Sequence, residues 1–211
     1  MTAGCLREAL TSAIRFQNRA MKLFYMRPNL RRVLSICVFV SAFSASHAQS
    51  LNANWKQDLN LSLEEFVKCA GSSDCAGYTA KALNTVYKIN DFYSQKSGRY
   101  MSVNEISSYL RESDKWTNLG KSYDQKILEA AQDYANARKA VIAVYQNAQG
   151  IGHIAVITPG SLQPSGSWGL KVPNAASFLT NDPQKSFIDK ALSFAFSKNM
   201  MKDVTLYGRN Y

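Results

Sequence analysis

Residues able to carry out nucleophilic or metal chemistry are scarce in this 211-residue chain, which holds two His and four Cys. Five Pro exclude a collagen-like repeat, and no internal repeat or low-complexity tract interrupts the chain. No Gly-x-Ser-x-Gly occurs, which removes the nucleophile-elbow type of serine hydrolase. The longest apolar run is too short to cross a bilayer. The formal charge of +10 is unevenly spread, since residues 1–48 hold seven basic groups and one acidic. The remainder carries 18 basic and 14 acidic groups, a net +4, with no basic stripe interleaved with aromatics. Such a surface suits an anionic polymer but argues against a nucleic-acid partner. With 46% hydrophobic residues the chain is long enough to bury one sizeable core.

Residues 26–48 have the order of a secretory signal peptide. Arg27, Arg31 and Arg32 form a basic start, Val33 to Ala45 an apolar run of 13 residues, and Ser46-His47-Ala48 a small-residue cleavage site. No Cys follows the cut, so no lipid anchor and no stable membrane attachment are expected. Residues 1–25 read as an extension from an upstream start, since Met21 or Met26 suits a signal better. The expected exported chain is 49–211, a single domain of 163 residues placed in the periplasm or outside the cell.

Within it, helical signals come first. Ser62-Leu63-Glu64-Glu65 has capping-box spacing before Phe66 and Val67. A second helix is expected to start at Asp74 or Cys75, with Ala76, Ala80, Leu83 and Tyr87 on one side. Ser102 and Glu105 form another capping box, and Tyr123–Arg138 reads as a further helix. The period then changes. Ala140–Tyr145 and His153–Ile157 are short apolar runs rich in β-branched residues, which predict buried strands joined by a Gly-containing turn. A third strand is expected over Ser165–Val172, a helix from Asp182-Pro183 through Ala195, and a last strand at Val204–Tyr207. Helices followed by an antiparallel sheet predict an α+β fold.

The expected exported chain has two Cys, Cys69 and Cys75, and one His, His153. A thiol nucleophile must be held as thiolate with a base within hydrogen-bond reach. Cys75 in the first turn of a helix meets the first need, because unpaired N–H groups favour negative charge there and can hold an oxyanion. His153, opening a strand after Gly152, can supply the base. Two Cys and one His cannot complete a four-ligand zinc site, so neither a metal nor another cofactor is expected. Export equally permits a Cys69–Cys75 disulfide, which would abolish the nucleophile. Asp74 is assigned to helix capping.

Asp74-Cys75-Ala76-Gly77-Tyr78 resembles the Asp-Cys-Ser-Gly-Phe nucleophile signature of NlpC-type cell-wall cysteine peptidases. Gly152-His153-Ile154-Ala155-Val156-Ile157 resembles the Gly-His-Val-(Ala/Gly)-Ile segment carrying their base, 78 residues further on. The order also fits the related amidases with CHAP domains, over roughly Phe66 to Ala176. Ala76 stands where the family has Ser, and the helices before the first strand form a long insert. The resemblance implies a papain-like core that cleaves amide bonds of peptidoglycan peptides, as endopeptidase or amidase, through Cys75 and His153. It also implies a third residue on the strand after the His, orienting the imidazole. Asn174 is the expected occupant, with Ser165, Ser167 and Ser177 as rivals. Trp168 and Tyr78 are read as cleft walls or as core. An acyl or peptidyl transferase on the same scaffold and a non-catalytic, disulfide-stapled envelope-binding protein are the other readings.

Overall fold

The structure is a computed structural model that describes residues 51–69, 73–150 and 152–211, without the side chains of Ser73 and Asp74. The expected extension 1–25 and signal segment 26–48 lie outside the described residues. Among the described residues four α-helices, α1 (Trp55–Cys69), α2 (Tyr78–Tyr87), α3 (Val103–Glu112) and α4 (Gln125–Asn136), accompany ten strands. Six of the strands build the main sheet: β3 (Trp116–Lys121), β4 (Val141–Gln146), β5 (Gly152–Ile157), β8 (Asn174–Ser177), β9 (Phe187–Ala191) and β10 (Thr205–Arg209). Their spatial order is β3-β10-β4-β5-β8-β9, and every neighbouring pair is antiparallel. Two hairpins lie beside it, β1–β2 (Tyr93–Ser94, Arg99–Tyr100) and β6–β7 (Gln163–Ser165, Leu170–Val172). The expected α+β class describes this arrangement. Among the described residues no helix is long and apolar enough to cross a membrane.

The sheet is buried on both faces, which is why its central strands are continuous apolar runs rather than alternating ones. On the first face Ile142, Val144, Ile154, Val156 and Ala176 pack with Leu59 and Phe66 of α1, Leu83 and Val86 of α2, and Ile106 and Leu110 of α3. On the second, Val141, Ala143, Ala155, Ile157, Ala175 and Leu206 pack with Leu128, Ala131 and Ala135 of α4, and with Trp168 and Phe196. The two-residue period of a strand divides the same segment between the two clusters.

Local chemistry sets several ends. The expected capping box is present at α3: Ser102 donates from its backbone N–H and its hydroxyl to Glu105 Oε2, at 2.7 and 2.8 Å. Arg99 grips the same carboxylate through both nitrogens, and together these bonds lower the Glu105 pKa to about 2. Asp124 accepts from the Lys126 N–H at the start of α4. α2 ends where Lys88 turns left-handed, its N–H bonded to Asn84 O.

Four expectations are corrected. α1 begins at Trp55, not at Ser62, whose hydroxyl instead donates back to Asp58 O inside the helix. Cys75 lies in a short 3-10 turn, Ser73–Gly77, and the α-helix starts only at Tyr78. The expected strand over Ser165–Val172 is the β6–β7 hairpin, with Trp168 in its turn, and β8 is the strand that pairs with β5. Asp182-Pro183 opens only a single 3-10 turn, and Phe187–Ala191 is the edge strand β9 rather than a helix. Phe187 and Ala191 are both buried, and a spacing of four fits either period.

Asp91 ties the loop after α2 to the sheet. Its carboxylate, 5% exposed, accepts from Arg209 Nε at 2.6 Å, Arg209 Nη2 at 3.2 Å and Trp116 Nε1 at 3.0 Å. Asp91→Ala would strand a guanidinium that is only 12% exposed, so a loss of about 3 kcal/mol is expected in urea unfolding. Arg209→Met added to it should recover part of that loss; equal stability of Asp91→Ala and wild type would contradict this reading.

Candidate functional site

Cys75 and Cys69 form a disulfide, with Cα atoms 5.9 Å apart. The bridge joins the last residue of α1 to the 3-10 turn that leads into α2, and Cys75 is 7% exposed. Phe66, one turn before Cys69, packs edge-on against Phe178 and tilted against Tyr78, closing the apolar cluster around the bridge. In this state Cys75 has no thiol to ionise. The capping expected of Asp74 lies outside the described side chains.

His153 is the second residue of β5, opposite Tyr145 of β4. The backbone of Gly152 before it is crowded: a Cβ there would meet Val103 Cγ1 at 2.8 Å and Tyr145 O at 2.9 Å. The imidazole Nε2 and Ser177 Oγ are 2.7 Å apart, and the ring stands edge-on to Phe196 at 5.3 Å. Burial pushes the His153 pKa down from its ordinary 6.5 to about 4, so the ring is neutral at pH 7. A neutral imidazole that donates from one nitrogen leaves the other as acceptor, and the Ser177 hydroxyl fixes which nitrogen faces the second strand.

The register explains that partner. Ala155 pairs with Ser177 and Ile157 with Ala175, so β8 brings Ser177, not Asn174, toward His153. Asn174 lies past the far end of β5, where its backbone O accepts from the Thr158 N–H. Its side-chain amide donates to Thr158 Oγ1 at 2.9 Å and Asp189 Oδ1 at 3.0 Å and accepts from Gln163 Nε2 at 2.7 Å. The expectation that Asn174 comes level with His153 is corrected on this ground: the chain returns to β5 after Pro173, not along Trp168–Val172. Ser165 and Ser167 bond to each other at 3.2 Å on the separate hairpin. Phe196 was not read from the sequence as part of the site; the apolar spacing that suggested a helix to Ala195 conceals it.

Placement relative to the sheet separates the two chemical residues. Cys75 packs in the first-face cluster with Ile154 and Val156. His153 shares the side of Ala155 and Ile157 and reaches Ser177 and Phe196, on the second face. No hydrogen bond joins Cys75 to His153 among the described residues. Val86 and Tyr87, at the C-terminal end of α2, line one small void with Val156 and Thr158 of the β5 end. Trp168 is core, donating from Nε1 to Phe196 O at 3.2 Å. Tyr78 lines a surface groove of about 500 Å³ with Ala76, Gly77, Tyr93, Arg99 and Tyr100, directly beyond the bridge. Its cations Lys81 and Arg99 are held by Glu65 and Glu105. Among the described residues no three His, Cys, Asp or Glu converge to hold a metal ion.

No family model and no curated protein matches this chain.

The buried imidazole has a consequence for stability. With its pKa lowered on folding, the unfolded chain binds the proton more readily, so stability is full above about pH 6.5 and falls as the pH drops toward about 4. In urea titrations across that window His153→Gln should reduce the slope of stability against pH. An His153 resonance that titrates near 6.5 in the native protein would contradict the burial argument.

Proposed function

We propose that this chain is an exported cysteine hydrolase of papain-like architecture, acting on amide bonds of peptidoglycan peptides, with the Cys69–Cys75 disulfide its resting form. The observation that carries the reading is the neutral His153 ring held through Nε2 by Ser177 on the neighbouring strand. A catalytic imidazole needs one nitrogen oriented by a third group, and Ser177 can serve as that group. The choice of peptidoglycan rests on the resemblance of Asp74–Tyr78 and Gly152–Ile157 to cell-wall peptidases, and on the export signal in 26–48.

A thiol reductant first supplies two electrons and two protons to the bridge, releasing Cys69 and Cys75 as thiols. The Ser73–Gly77 turn must then leave the first face of the sheet and carry the Cys75 thiol to the imidazole, which takes its proton. The thiolate attacks the amide carbonyl, the tetrahedral intermediate collapses to a thioester, and the imidazolium gives its proton to the leaving amine. Water, deprotonated by the same ring, releases the acid and restores the thiol. An acyl or peptidyl transferase differs only in admitting an amine or hydroxyl in place of that water.

A second reading is favoured by the bridge itself: a non-catalytic envelope-binding protein, stapled at Cys69–Cys75, whose groove beside Tyr78, Tyr93 and Tyr100 contacts the polymer. Digestion of purified peptidoglycan separates the two. The hydrolase is expected to release peptides or free amines only with a dithiol reductant present, to lose all activity in Cys75→Ala, and to lose about tenfold or more in Ser177→Ala with KM little changed. Binding to peptidoglycan without any bond cleavage, with or without reductant, would establish the second reading instead.

A further inference from the structure

We infer that the first face of the sheet carries an anion-binding site, a groove of about 220 Å³ between α3 and the β3-β10-β4 edge, built to hold one oxyanion group, a carboxylate or a phosphoryl. This inference does not rest on the hydrolase reading, since none of its residues belongs to the Cys75–His153 machinery.

The two structural periods assemble it. Val144 and Gln146 of β4 and Thr205 and Tyr207 of β10 are two apart on their strands, so each pair shares a face. Lys121 pairs with Thr205 and extends that face to the edge strand. Ser107 and Arg111 are four apart on α3 and therefore share the side of the helix turned to the sheet. Beyond Arg111 the helix ends, which leaves the floor of Thr205 and Tyr207 open.

Two cations point to the kind of ligand. Neither Arg111 nor Lys121 has a carboxylate partner among the described residues. Arg111 donates to the neutral Gln146 Oε1 at 3.1 Å and Ser108 Oγ at 3.0 Å. Lys121 donates to Asp203 O at 3.2 Å and Thr205 Oγ1 at 2.9 Å. By contrast, Arg209 is paired with Asp91 and Arg99 with Glu105.

An independent observation comes from Ser107. It is 4% exposed, its Oγ is buried, and that oxygen has no hydrogen-bond partner among the described residues. A buried hydroxyl without a partner costs stability, and because Ser107 lines this groove, a turn of its side chain would let a ligand oxygen satisfy it. The Tyr207 hydroxyl, its pKa raised because burial outweighs the opposing effect of Arg111, is a further donor. Asp203 is the one carboxylate lining the groove; with it the lining charge is +1, which favours an anion. The volume is below that of pockets for drug-sized molecules, which suits one charged group and its adjoining carbons.

The full chain titrated with inorganic phosphate and, separately, with acetate, followed by amide NMR shifts, tests the site. Saturable shifts confined to Ser107, Arg111, Gln146, Thr205 and their neighbours are expected with at least one of the two ions. Saturation with phosphate alone assigns a phosphoryl group, with acetate alone a carboxylate, and with both the oxyanion in general. Affinity should fall about tenfold or more in Arg111→Gln and Lys121→Gln, fall with added salt, and rise in Asp203→Asn. Ser107→Ala, which removes an unpartnered hydroxyl, should leave the fold intact and weaken binding by a few fold. Shifts that never saturate with either ion, or an affinity unchanged in Arg111→Gln, would overturn the proposal.

Discussion

The hairpin of β4 and β5 has to bury both faces at once, and most of the molecule follows from that demand. Val141, Ala143, Ala155 and Ile157 need cover on one side, Ile142, Val144, Ile154 and Val156 on the other, and all are at most 6% exposed. α1, α2 and α3 cover one side; α4, the β6–β7 hairpin and the Leu192–Phe196 segment cover the other. Removing about 25 cal/mol of unfavourable hydration per Å² from each face is what orders these loosely patterned segments around the sheet. A one-residue slip in β5 would send His153 and the apolar set to the wrong sides together, so packing also fixes where the imidazole points.

Functional geometry inherits that constraint. Register places Ser177 against His153, and burial keeps the ring neutral, so the strand pair β5–β8 holds an oriented, uncharged imidazole. The cysteine side is governed by different physics. Cys69 ends α1 and Cys75 begins the turn into α2, and two helices packed against one another hold the pair within bridging distance. An oxidising compartment therefore favours closure of the bridge, and in the hydrolase reading reactivity depends on the redox state of its surroundings as much as on the site.

Much of the fold was legible where one period dominates. Ser102 with Glu105, the helical stretch read over Tyr123–Arg138, and the runs of β4 and β5 carry signals that nothing in the tertiary structure overrides. The failures have physical causes. β3 has only Trp116 buried, and an edge strand with one apolar anchor leaves no alternation to read. Phe187 and Ala191 satisfy both periods, and only pairing with β8 decides for a strand. For the site, Cys75, His153 and the possibility of the bridge could be named from residue types alone. The choice between Asn174 and Ser177 could not, because it depends on where the chain turns back, and Pro173 delays that return until after Val172. The groove of Ser107, Arg111 and Lys121 joins residues from a helix and an edge strand that no local pattern connects.

The central claim is that Cys75 becomes a nucleophile beside His153 once it leaves Cys69. Alkylation of the native full chain at pH 6 with a thiol reagent, before and after dithiol reduction and with the modified residue mapped, tests it most directly. The account predicts no labelling of Cys69 or Cys75 before reduction. After it, labelling is rapid and selective at Cys75, and His153→Ala and Ser177→Ala both slow it. Equal, slow labelling of Cys69 and Cys75 after reduction, indifferent to His153→Ala, would contradict it and leave the two cysteines as a structural staple.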